Sequence, residues 1–580
     1  NADFDGDEMN LFLPQGTIPS REIQDLCSVP LEIISPQHGK PLVTITYDGL
    51  MGAYLMTKDD TYLTKKQVMN IIVWNDISVD KLPIPKGPNG LYTGKQIFSL
   101  ILSNINYMRK VDVGNDVIIK NGELISGCLG KVDLGDGLIK RLFNDYGHEQ
   151  TKIFLDSEQR MVIHFLTNYS SFTIGINDCI IEDLDESRIR SEISKQISNS
   201  YKLIHQAQEG VMKLKLKTEV LDDFELQISQ ILDSAKNSVG SMIDKGIITE
   251  GNRFFQMGPN ASGSKGKKDQ FVQSVGCIGQ QNVAIKQEDG SYRKQRLASN
   301  YGVKAGGCNF RTLPIVARDD DSPLARGFIA NNYMSGINPI EFWASSVSGR
   351  EGLMDTALKT ADTGYFQRKL VKTMEDNIVA YDGTVRNSQG NIIQFLYGSD
   401  GMHPAKLEKD KLEILCYNNN EMREKYRFYN EDWSKLVTSD VKKYITTKSK
   451  EFNKIMDTEY DLLIEYRDLL RNRIFSNPIK NLLPMYIDIL FPFNLRRIIS
   501  NTQTILPNID NISDLYPKYI IDEVDSLMGR LNLFVNIDNS IKKELEDNYK
   551  ILYKIKIKSY LTPKRVIKEF RLNKLGFDYV

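Results

Sequence analysis

Cysteine is scarce in this 580-residue chain, and its spacing excludes two kinds of protein. The six cysteines, at positions 27, 128, 179, 277, 308 and 416, stand far apart and form no Cys-x-x-Cys pair. Zinc ribbons and disulfide frameworks both need cysteines at short, regular spacing. We therefore expect no zinc site in this segment, and a reducing intracellular compartment.

Long apolar runs and strong net charge are also missing. No stretch of 18 or more apolar residues occurs, and the first residues show neither a basic region nor an apolar signal core, so neither a membrane span nor export is indicated. The 74 basic and 75 acidic residues leave a formal net charge of −1. Small nucleic-acid binders are usually strongly basic, so a nucleic-acid site here must be a local patch. The length predicts roughly three to five domains.

The opening sequence NADFDGDEMN places three carboxylates, Asp3, Asp5 and Asp7, at alternate positions. With Gly6 permitting a tight turn, they can converge on one point. Hard oxygen ligands without nearby His or Cys favour Mg²⁺ or Mn²⁺. An EF-hand calcium loop is excluded, because its invariant glycine would fall on Glu8 and its bidentate glutamate on Pro14. The motif alone leaves an acidic surface turn open.

The chain before residue 186 and the chain after residue 400 give different patterns. Residues 1–185 read as mixed strands and loops, with β-branched runs such as PLVTITYDGL and DVIIKNGELISG. The second run predicts a hairpin that turns at Asn121-Gly122. Residues 401–580 read as mostly helical.

Two stretches after residue 186 carry apolar residues at three- and four-residue spacing. This predicts two long amphipathic helices joined by a turn near Thr218, an αα-hairpin whose stripes bury each other. The first stripe comprises Ile189, Ile193, Ile197, Tyr201 and Ile204, and the second Leu221, Phe224, Ile228, Ile231, Leu232, Ala235, Val239 and Met242.

A third long helix is predicted over residues 339–376. Asn338 can cap it, Pro339 suits its first turn, and Glu341 completes a capping box. At 1.5 Å per residue it would be about 57 Å long. Its three internal glycines, Gly349, Gly352 and Gly364, each cost about 1 kcal/mol relative to alanine, so the helix should either pack closely at the glycines or bend.

Taken together, these motifs resemble the largest subunit of eukaryotic-type, RNA polymerase II-like, multisubunit DNA-directed RNA polymerases. NADFDGDEMN is similar to the loop that holds the catalytic magnesium, and GREGLMDTALKTADTGYFQRKLVK to the bridge helix that crosses the active cleft. VGCIGQQNV and RTLP resemble the segment before the bridge helix, and FPFNLRRIISNTQ and KRVIKEFRLNKLGFDYV resemble the foot domain. The abundance of Ile, Asn and Lys is similar to that of large DNA virus polymerases.

The resemblance implies an α+β multidomain fold with five parts. These are the catalytic metal loop at the end of a double-psi β-barrel (1–14), a mixed pore-like domain (15–185), an α-helical funnel hairpin (186–257), a cleft segment with the bridge helix 339–376 (258–400), and a mainly helical foot-like domain (401–580). The clamp and most of the barrel precede this segment in the family, and the trigger loop follows it. We expect those parts to come from other polypeptides or from a longer chain.

The resemblance also implies roles for particular residues. Asp3, Asp5 and Asp7 would be catalytic and bind Mg²⁺, with a second Mg²⁺ brought by the nucleoside triphosphate, and Asn1 would contact its sugar. Thr360 and Ala361 would lie beneath the templating base, with Tyr365 as a packing surface and Gly364 allowing bending.

Basic and amide side chains complete the implied site. Arg368, Lys369 and Lys372 would face the template or hybrid backbone, unless they form only a solvated helix end. Gln280 and Gln281 would line the junction of funnel and bridge helix, or serve packing or backbone bonding. Lys265 and Lys267 could attract triphosphate, or lie in a solvated loop.

The implied function is DNA-dependent RNA synthesis by two-Mg²⁺ nucleotidyl transfer, active only within a multisubunit complex. Its partners would be the second-largest polymerase subunit, other subunits, the remaining clamp and trigger-loop parts, template DNA, nascent RNA and nucleoside triphosphates, with no membrane. The location would be the nucleus, or the cytoplasm or virion for a viral enzyme. Two alternatives stay open: a non-catalytic scaffold fragment, and a metal-dependent phosphohydrolase or nuclease, which the five histidines, none near the aspartates, disfavour.

Overall fold

A computed structural model of the chain describes residues 6, 8–75, 77–111, 114–180, 186–212, 220–247, 252–286, 292–297, 300–301, 310–311, 313–317, 320–428, 436–447, 449–475, 488–508, 511–531 and 539–580. Helices dominate these residues, and the strands form small antiparallel sheets of two or three strands. The fold is therefore α+β. No helix in the described part of the chain is long and apolar enough to cross a membrane.

The first core is built from residues 33–165. The elements up to its end are α1 (Thr17–Asp25), α2 (Asp48–Met56), β1 (Tyr62–Leu63), α3 (Lys65–Val73), β2 (Tyr92–Thr93), α4 (Gly94–Ser99), β3 (Tyr107–Arg109), β4 (Val117–Lys120), β5 (Glu123–Ser126) and α5 (Leu138–Asn168). Strands β4 and β5 pair with Lys120 opposite Glu123, and Asn121 and Gly122 both have positive φ. The predicted hairpin is confirmed.

The prediction of mixed strands and loops for residues 1–185 was wrong where helices α1 to α5 form, and two segments show why. PLVTITYDGL, at 41–50, forms an irregular segment that leads into α2, and Tyr47 within it has a φ of +48° that an extended strand does not allow. Residues 138–168 form α5, which is helical on both sides of a kink at Gly147. Its buried residues share a helical spacing that the strand interpretation overlooked: Leu138, Ile139, Leu142, Phe154, Met161, Val162 and Phe165.

The second core joins two long helices, α6 (Glu186–Gln208) and α7 (Val220–Ile247), to the short helices α8 (Arg253–Met257) and α9 (Lys268–Val275). Most of the predicted stripe is buried: Ile189, Ile193, Ile204, Phe224, Ile228, Leu232, Ala235 and Val239. Tyr201 is an exception, at 42% exposed. The predicted turn near Thr218 lies outside the described residues, as does the side chain of Leu221.

The central segment carries small sheets and one very long helix. Its elements are β6 (Gly279–Gln280), β7 (Asn282–Lys286), β8 (Tyr292–Arg296), β9 (Asn300–Tyr301), β10 (Phe310–Arg311), β11 (Phe328–Ile329), α10 (Pro339–Met374), β12 (Ile378–Val379), β13 (Val385–Arg386) and β14 (Ile392–Gln394). The helix predicted over 339–376 is thus confirmed. An added Cβ at Gly349, Gly352 or Gly364 would meet nothing within 4 Å, so close packing at the glycines is not observed among the described residues.

The last part of the chain is mostly helical, as predicted. It comprises β15 (Glu408–Lys411), α11 (Asn419–Tyr426), α12 (Ser439–Thr447), α13 (Ser449–Leu469), β16 (Asp488–Phe491), α14 (Leu495–Ile505), α15 (Pro517–Arg530), α16 (Asn539–Tyr560) and α17 (Lys574–Tyr579). Two apolar clusters fill it.

This last part also contains a half-buried carboxylate, Glu413. Burial alone would raise the pKa of Glu413, but hydrogen bonds and charge from Lys425 and other partners lower that pKa to about 2.

Candidate functional site

The acidic loop at the start of the chain falls almost entirely outside the described residues. This applies to all four residues that the sequence singles out there, Asn1, Asp3, Asp5 and Asp7. Gly6 is described, and its φ of +120° lies in a region that L side chains rarely adopt. The backbone at Gly6 therefore fits the turn that the glycine was expected to permit. Among the described residues, no group of three or more His, Cys, Asp or Glu side chains is placed to hold a metal ion.

A buried carboxylate anchors the first turn of α10. Glu341 is 2% exposed, and its oxygens accept hydrogen bonds from Asn338 N at 3.0 Å, Ala330 N at 3.0 Å and Asn331 Nδ2 at 2.8 Å. A buried carboxylate without such donors would be costly. These bonds therefore fix the start of α10 to the segment that follows β11, and Glu341 completes the capping box predicted from the sequence.

Strand β7 lies along the next turns of α10. Ser348 Oγ donates a hydrogen bond to Asn282 O at 3.0 Å, and Glu351 Oε1 accepts one from Ala284 N at 2.7 Å. Sequence reasoning missed both contacts, because their partners are more than 60 residues away. The first three turns of α10 are thus attached to the chain's own backbone.

Gln280 and Gln281 lie beside this anchor. Gln280 Nε2 donates to Arg326 O and to Gln281 O, both at 2.7 Å, while Gln281 N donates to Gly327 O at 2.9 Å. Gln280 Oε1 is buried and has no hydrogen-bond partner among the described residues. The donor end of the Gln280 amide therefore serves backbone bonding, which was one of the two roles left open for it.

A cluster of charged side chains around the buried Arg296, which the sequence did not reveal, lies next to the backbone that bonds Gln280. Glu225 of α7 accepts hydrogen bonds from Arg296 and Arg326, each at 3.0 Å, and Arg326 Nη1 donates to Asp321 at 2.8 Å. Arg296 is fully buried. Burial lowers the pKa of Arg326, and Glu225 opposes that shift. The cluster links α7 to the backbone carbonyl that receives Gln280.

The residues that the sequence nominated on α10 share one side of the helix. Residues four apart lie on the same face, so the nominated residues form two adjacent rows: Thr360, Gly364, Arg368 and Lys372 in one, and Ala361, Tyr365 and Lys369 in the other. All seven are exposed in this chain. The helix thereby brings small, aromatic and cationic groups onto one accessible half of its surface.

Some of these side chains contact other residues of α10 or the residue that follows it. The Lys369 ammonium lies 4.4 Å from the centre of the Tyr365 ring, a cation–π distance. Thr360 Oγ1 donates to Ala357 O at 2.8 Å, and Lys372 pairs with Glu375 at 3.0 Å. Arg368 makes no ion pair with any residue that the structure describes. Its guanidinium is therefore open to an outside partner, whereas Lys372 has a neighbour on its own helix.

The structure does not bring all nominated residues together. The glutamine pair lies near the attached start of α10, and Thr360 follows Ser348 by twelve residues, about 18 Å along the helix axis. Lys265 Nζ lies 5.0 Å from the Tyr47 ring centre, and Lys267 is exposed at the start of α9. These are separate patches within the described part of the chain.

Comparisons with known proteins find one family along the whole chain. Family models match in order: RNA polymerase Rpb1, domain 2 at residues 1–29, domain 3 at 32–179, domain 4 at 204–329 and domain 6 at 402–580. Two relatives from Trypanosoma brucei brucei, the DNA-directed RNA polymerase II subunits RPB1-A and RPB1-B, are each 32% identical over 611 aligned residues. The alignment covers 100% of this chain, which spans only 33% of each relative. Helix α10 lies between the matched ranges and inside the full alignment.

Proposed function

The chain belongs to the RNA polymerase Rpb1 family, and we propose that it forms the active-site segment of the largest subunit of a DNA-directed RNA polymerase. In this proposal it takes part in transferring ribonucleotides from nucleoside triphosphates to the 3′ end of RNA on a DNA template. The observation that carries the proposal is helix α10, considered together with the acidic loop that begins the chain.

Helix α10 carries large apolar side chains between its charged ones, and from Gly352 to Met374 every residue is exposed. Its uncovered apolar side chains point in all directions around the axis: Leu353, Met354, Leu358, Phe366, Leu370, Val371 and Met374. Large apolar side chains exposed together in such numbers normally mark a surface that another molecule covers. This supports a rod that runs through the interior of an assembly, as a bridge helix across an active cleft would.

The donor set of the opening loop fits Mg²⁺, because three carboxylates without nearby His or Cys are the hard ligands that this ion prefers. Asp3, Asp5 and Asp7 would hold the ion, and we expect the nucleoside triphosphate to bring a second. When bound, the ions supply positive charge that stabilises the attacking and leaving oxygens of phosphoryl transfer. Asn1 would orient the ribose hydroxyls of the incoming nucleotide.

The exposed side of α10 would position the template. Thr360 and Ala361 are small enough to leave room for a base, and Tyr365 offers a packing surface beside them. Arg368, Lys369 and Lys372 would contact the phosphate backbone, which positions the nucleic acid without reading its sequence. Gly364, where a side chain would meet nothing within 4 Å, would allow the helix to bend between nucleotide additions.

The other parts of the chain would frame this site. We assign residues 15–185 to a pore-like domain, 186–257 to a funnel hairpin and 401–580 to a foot-like domain. Gln280 and Gln281 would line the junction of funnel and bridge helix. The second-largest subunit, other subunits, and the clamp and trigger-loop parts would cover α10, in the nucleus, or in the cytoplasm or virion if the enzyme is viral.

Exchange of Asp5 for alanine in the complete, assembled enzyme tests the proposal. We expect Asp5→Ala to abolish nucleotide addition on a primed template while leaving subunit assembly unchanged, because the carboxylate acts on the ions and not on folding. Glu8→Gln is the matched control: it removes an exposed carboxylate next to the alternating set and should leave elongation unchanged. Retained elongation in Asp5→Ala would reject the catalytic role and favour the scaffold alternative.

A further inference from the structure

A half-open cavity of about 260 Å³ lies where the first core meets the last part of the chain. We propose that this cavity binds a small phosphate-class anion, inorganic phosphate or pyrophosphate, and that the bound anion fastens the two parts together. His38, Lys40, Lys140 and Arg141 line it from one side, and Lys409 and Asn494 from the other. The proposal does not depend on the function proposed above.

The walls of the cavity are rigidly joined. Lys140 Nζ donates to Gly39 O and also to Leu407 O, so one ammonium links both sides. Gly39 has a φ of +61°, and a Cβ there would lie 2.4 Å from Pro404 O. Arg497 adds ion pairs to both Asp145 and Glu408. The cavity is therefore part of a built junction and not a gap between loosely placed loops.

The charges around the cavity favour an anion. Four cationic side chains line it, Lys40, Lys140, Arg141 and Lys409, against two carboxylates, Asp136 and Glu408. Glu408 already has partners, since it accepts hydrogen bonds from Arg497, which it shares with Asp145, and from Asn144 Nδ2. Lys40 and Lys409 form no ion pair with any described residue. The excess of positive charge would repel a metal cation and attract an anion.

Arg141 offers the strongest anchor for that anion. Its Nη1 donates to Asn106 O at 2.5 Å, and its guanidinium lies 4.8 Å from the centre of the Tyr107 ring. Its other N–H groups have no acceptor among the described residues. A guanidinium that one hydrogen bond and a neighbouring ring hold in place presents its remaining groups as a planar fork, which suits phosphate oxygens. Burial lowers the pKa of both Arg141 and Lys140, and a bound anion would stabilise their charged forms.

The size of the cavity selects among anions. Sites for drug-sized organic ligands usually measure about 300–1,000 Å³, so this cavity is at or below their lower limit. Phosphate and pyrophosphate fit that size, and both can accept from several cations at once. A nucleic-acid backbone would instead need an open groove that continues beyond the cavity.

Calorimetric titration of the full chain with pyrophosphate, in EDTA, tests the proposal. EDTA removes divalent ions, so binding through the opening aspartates does not contribute. We expect one site per chain, weakened about tenfold in the double variant Lys40→Ala/Lys409→Ala. Lys406→Ala, which removes an exposed lysine three residues from Lys409, should bind as the unchanged chain does. Equal affinity in all three proteins, or no measurable binding, would overturn the proposal.

Hydrogen exchange locates the site independently of the variants. Pyrophosphate should slow exchange at residues 38–41, 137–141 and 406–409 together, because the anion contacts both sides of the junction. Protection elsewhere without protection at these residues would contradict the assignment. Free phosphate and a short single-stranded oligonucleotide can be compared as competitors for pyrophosphate. If the oligonucleotide displaces pyrophosphate at a lower concentration of phosphate groups than free phosphate does, the proposal is also contradicted, since that outcome indicates an open nucleic-acid groove.

Discussion

Helices α7 and α10 are both long, and they differ in what covers them. Along α7, Phe224, Ile228, Leu232, Ala235, Val239 and Ile243 are each at most 6% exposed. Along α10, the buried residues are Glu341 and Ala344, both in the first two turns. The amphipathic stripe of α7 is matched by α6 and α9 in the same chain, whereas the apolar residues of α10 have no such match among the described residues.

The contrast shows that two kinds of apolar pattern carry different information. A stripe on one side of a helix predicts burial against the rest of the domain. Apolar residues on all sides predict cover on all sides, which the described residues do not give to α10. The second pattern therefore indicates cover by parts other than the described residues, and it marks the segment where function is proposed.

Truncating one apolar residue on each helix should give the largest difference between α7 and α10 in the loss of free energy of unfolding. Ile228→Ala, at a fully buried position, should lower the free energy of unfolding by about 3–4 kcal/mol. Leu358→Ala, at a position 65% exposed, should change it by less than about 0.5 kcal/mol. Urea denaturation of the chain measures both. A large loss in Leu358→Ala would mean that α10 is covered within this chain after all.

Helix α5 buries a titratable side chain, so its contribution to stability should depend on pH. Glu158 is 1% exposed, its Oε1 has no partner among the described residues, and burial raises its pKa to about 8. Because the unfolded carboxyl has a pKa near 4.5, the unfolded chain loses its proton first. Stability is thus highest below about pH 4.5 as far as this group is concerned, and it falls as the pH rises towards 8.

Glu158→Gln checks this dependence, since glutamine keeps the shape and does not titrate. The unchanged chain should lose roughly 3–4 kcal/mol more than Glu158→Gln between pH 5 and pH 8. Thermal melting across that range supplies the measurement. Parallel pH profiles for the two proteins would show that Glu158 is charged or solvated in the fold.

The attachment of α10 at its start can be weakened without touching its exposed part. Glu341→Gln replaces an acceptor by a donor among three hydrogen-bond donors and should cost about 2 kcal/mol locally. Faster hydrogen exchange at the amides of Ala330 and Asn338 would report it. Glu351→Gln, which affects a single bond to Ala284 N, is the milder control. Equal exchange in both variants would contradict a dominant anchor at Glu341.

Replacing a glycine by alanine should change stability slightly, and with opposite signs for Gly364 in α10 and for Gly276 beside α7. A Cβ at Gly364 would meet nothing within 4 Å, so Gly364→Ala should stabilise α10 by about 0.5–1 kcal/mol. At Gly276 a Cβ would lie 2.5 Å from Val239 of α7, so Gly276→Ala should destabilise by about 1 kcal/mol. Denaturation and circular dichroism compare the pair. Destabilisation by Gly364→Ala would show that something contacts the helix there.

Local patterns in the sequence predicted several elements correctly. The bounds of α10 agree within two residues, because Asn338, Pro339 and Glu341 are local start signals that act through neighbouring backbone groups. The hairpin at Asn121-Gly122 and the stripe of α7 depend on equally local properties. The strand interpretation of PLVTITYDGL failed because β-branched residues favour strands only where a partner strand is present, and here the chain turns at Tyr47 into α2.

The candidate site likewise combines features that the sequence predicts with contacts that it does not predict. The nominated residues of α10 fall into two rows because helical spacing is a property of the sequence alone. The contacts of Gln280 with Arg326 O, and of Glu225 with two arginines, join residues 46 to 101 positions apart. No spacing rule links such residues, so only folding brings them together. The roles of the opening aspartates remain predictions.

By itself, the sequence determined where α6, α7 and α10 run, which side of α7 is apolar and which residues share a side of α10. These properties follow from chemistry repeated every three or four residues. The tertiary structure alone decided that α10 is uncovered beyond its first turns, that Glu341 is buried against the segment after β11, and that a cationic cavity forms beside Arg141. Each of these depends on distant segments meeting, which is governed by packing and the pairing of buried charges across the whole fold.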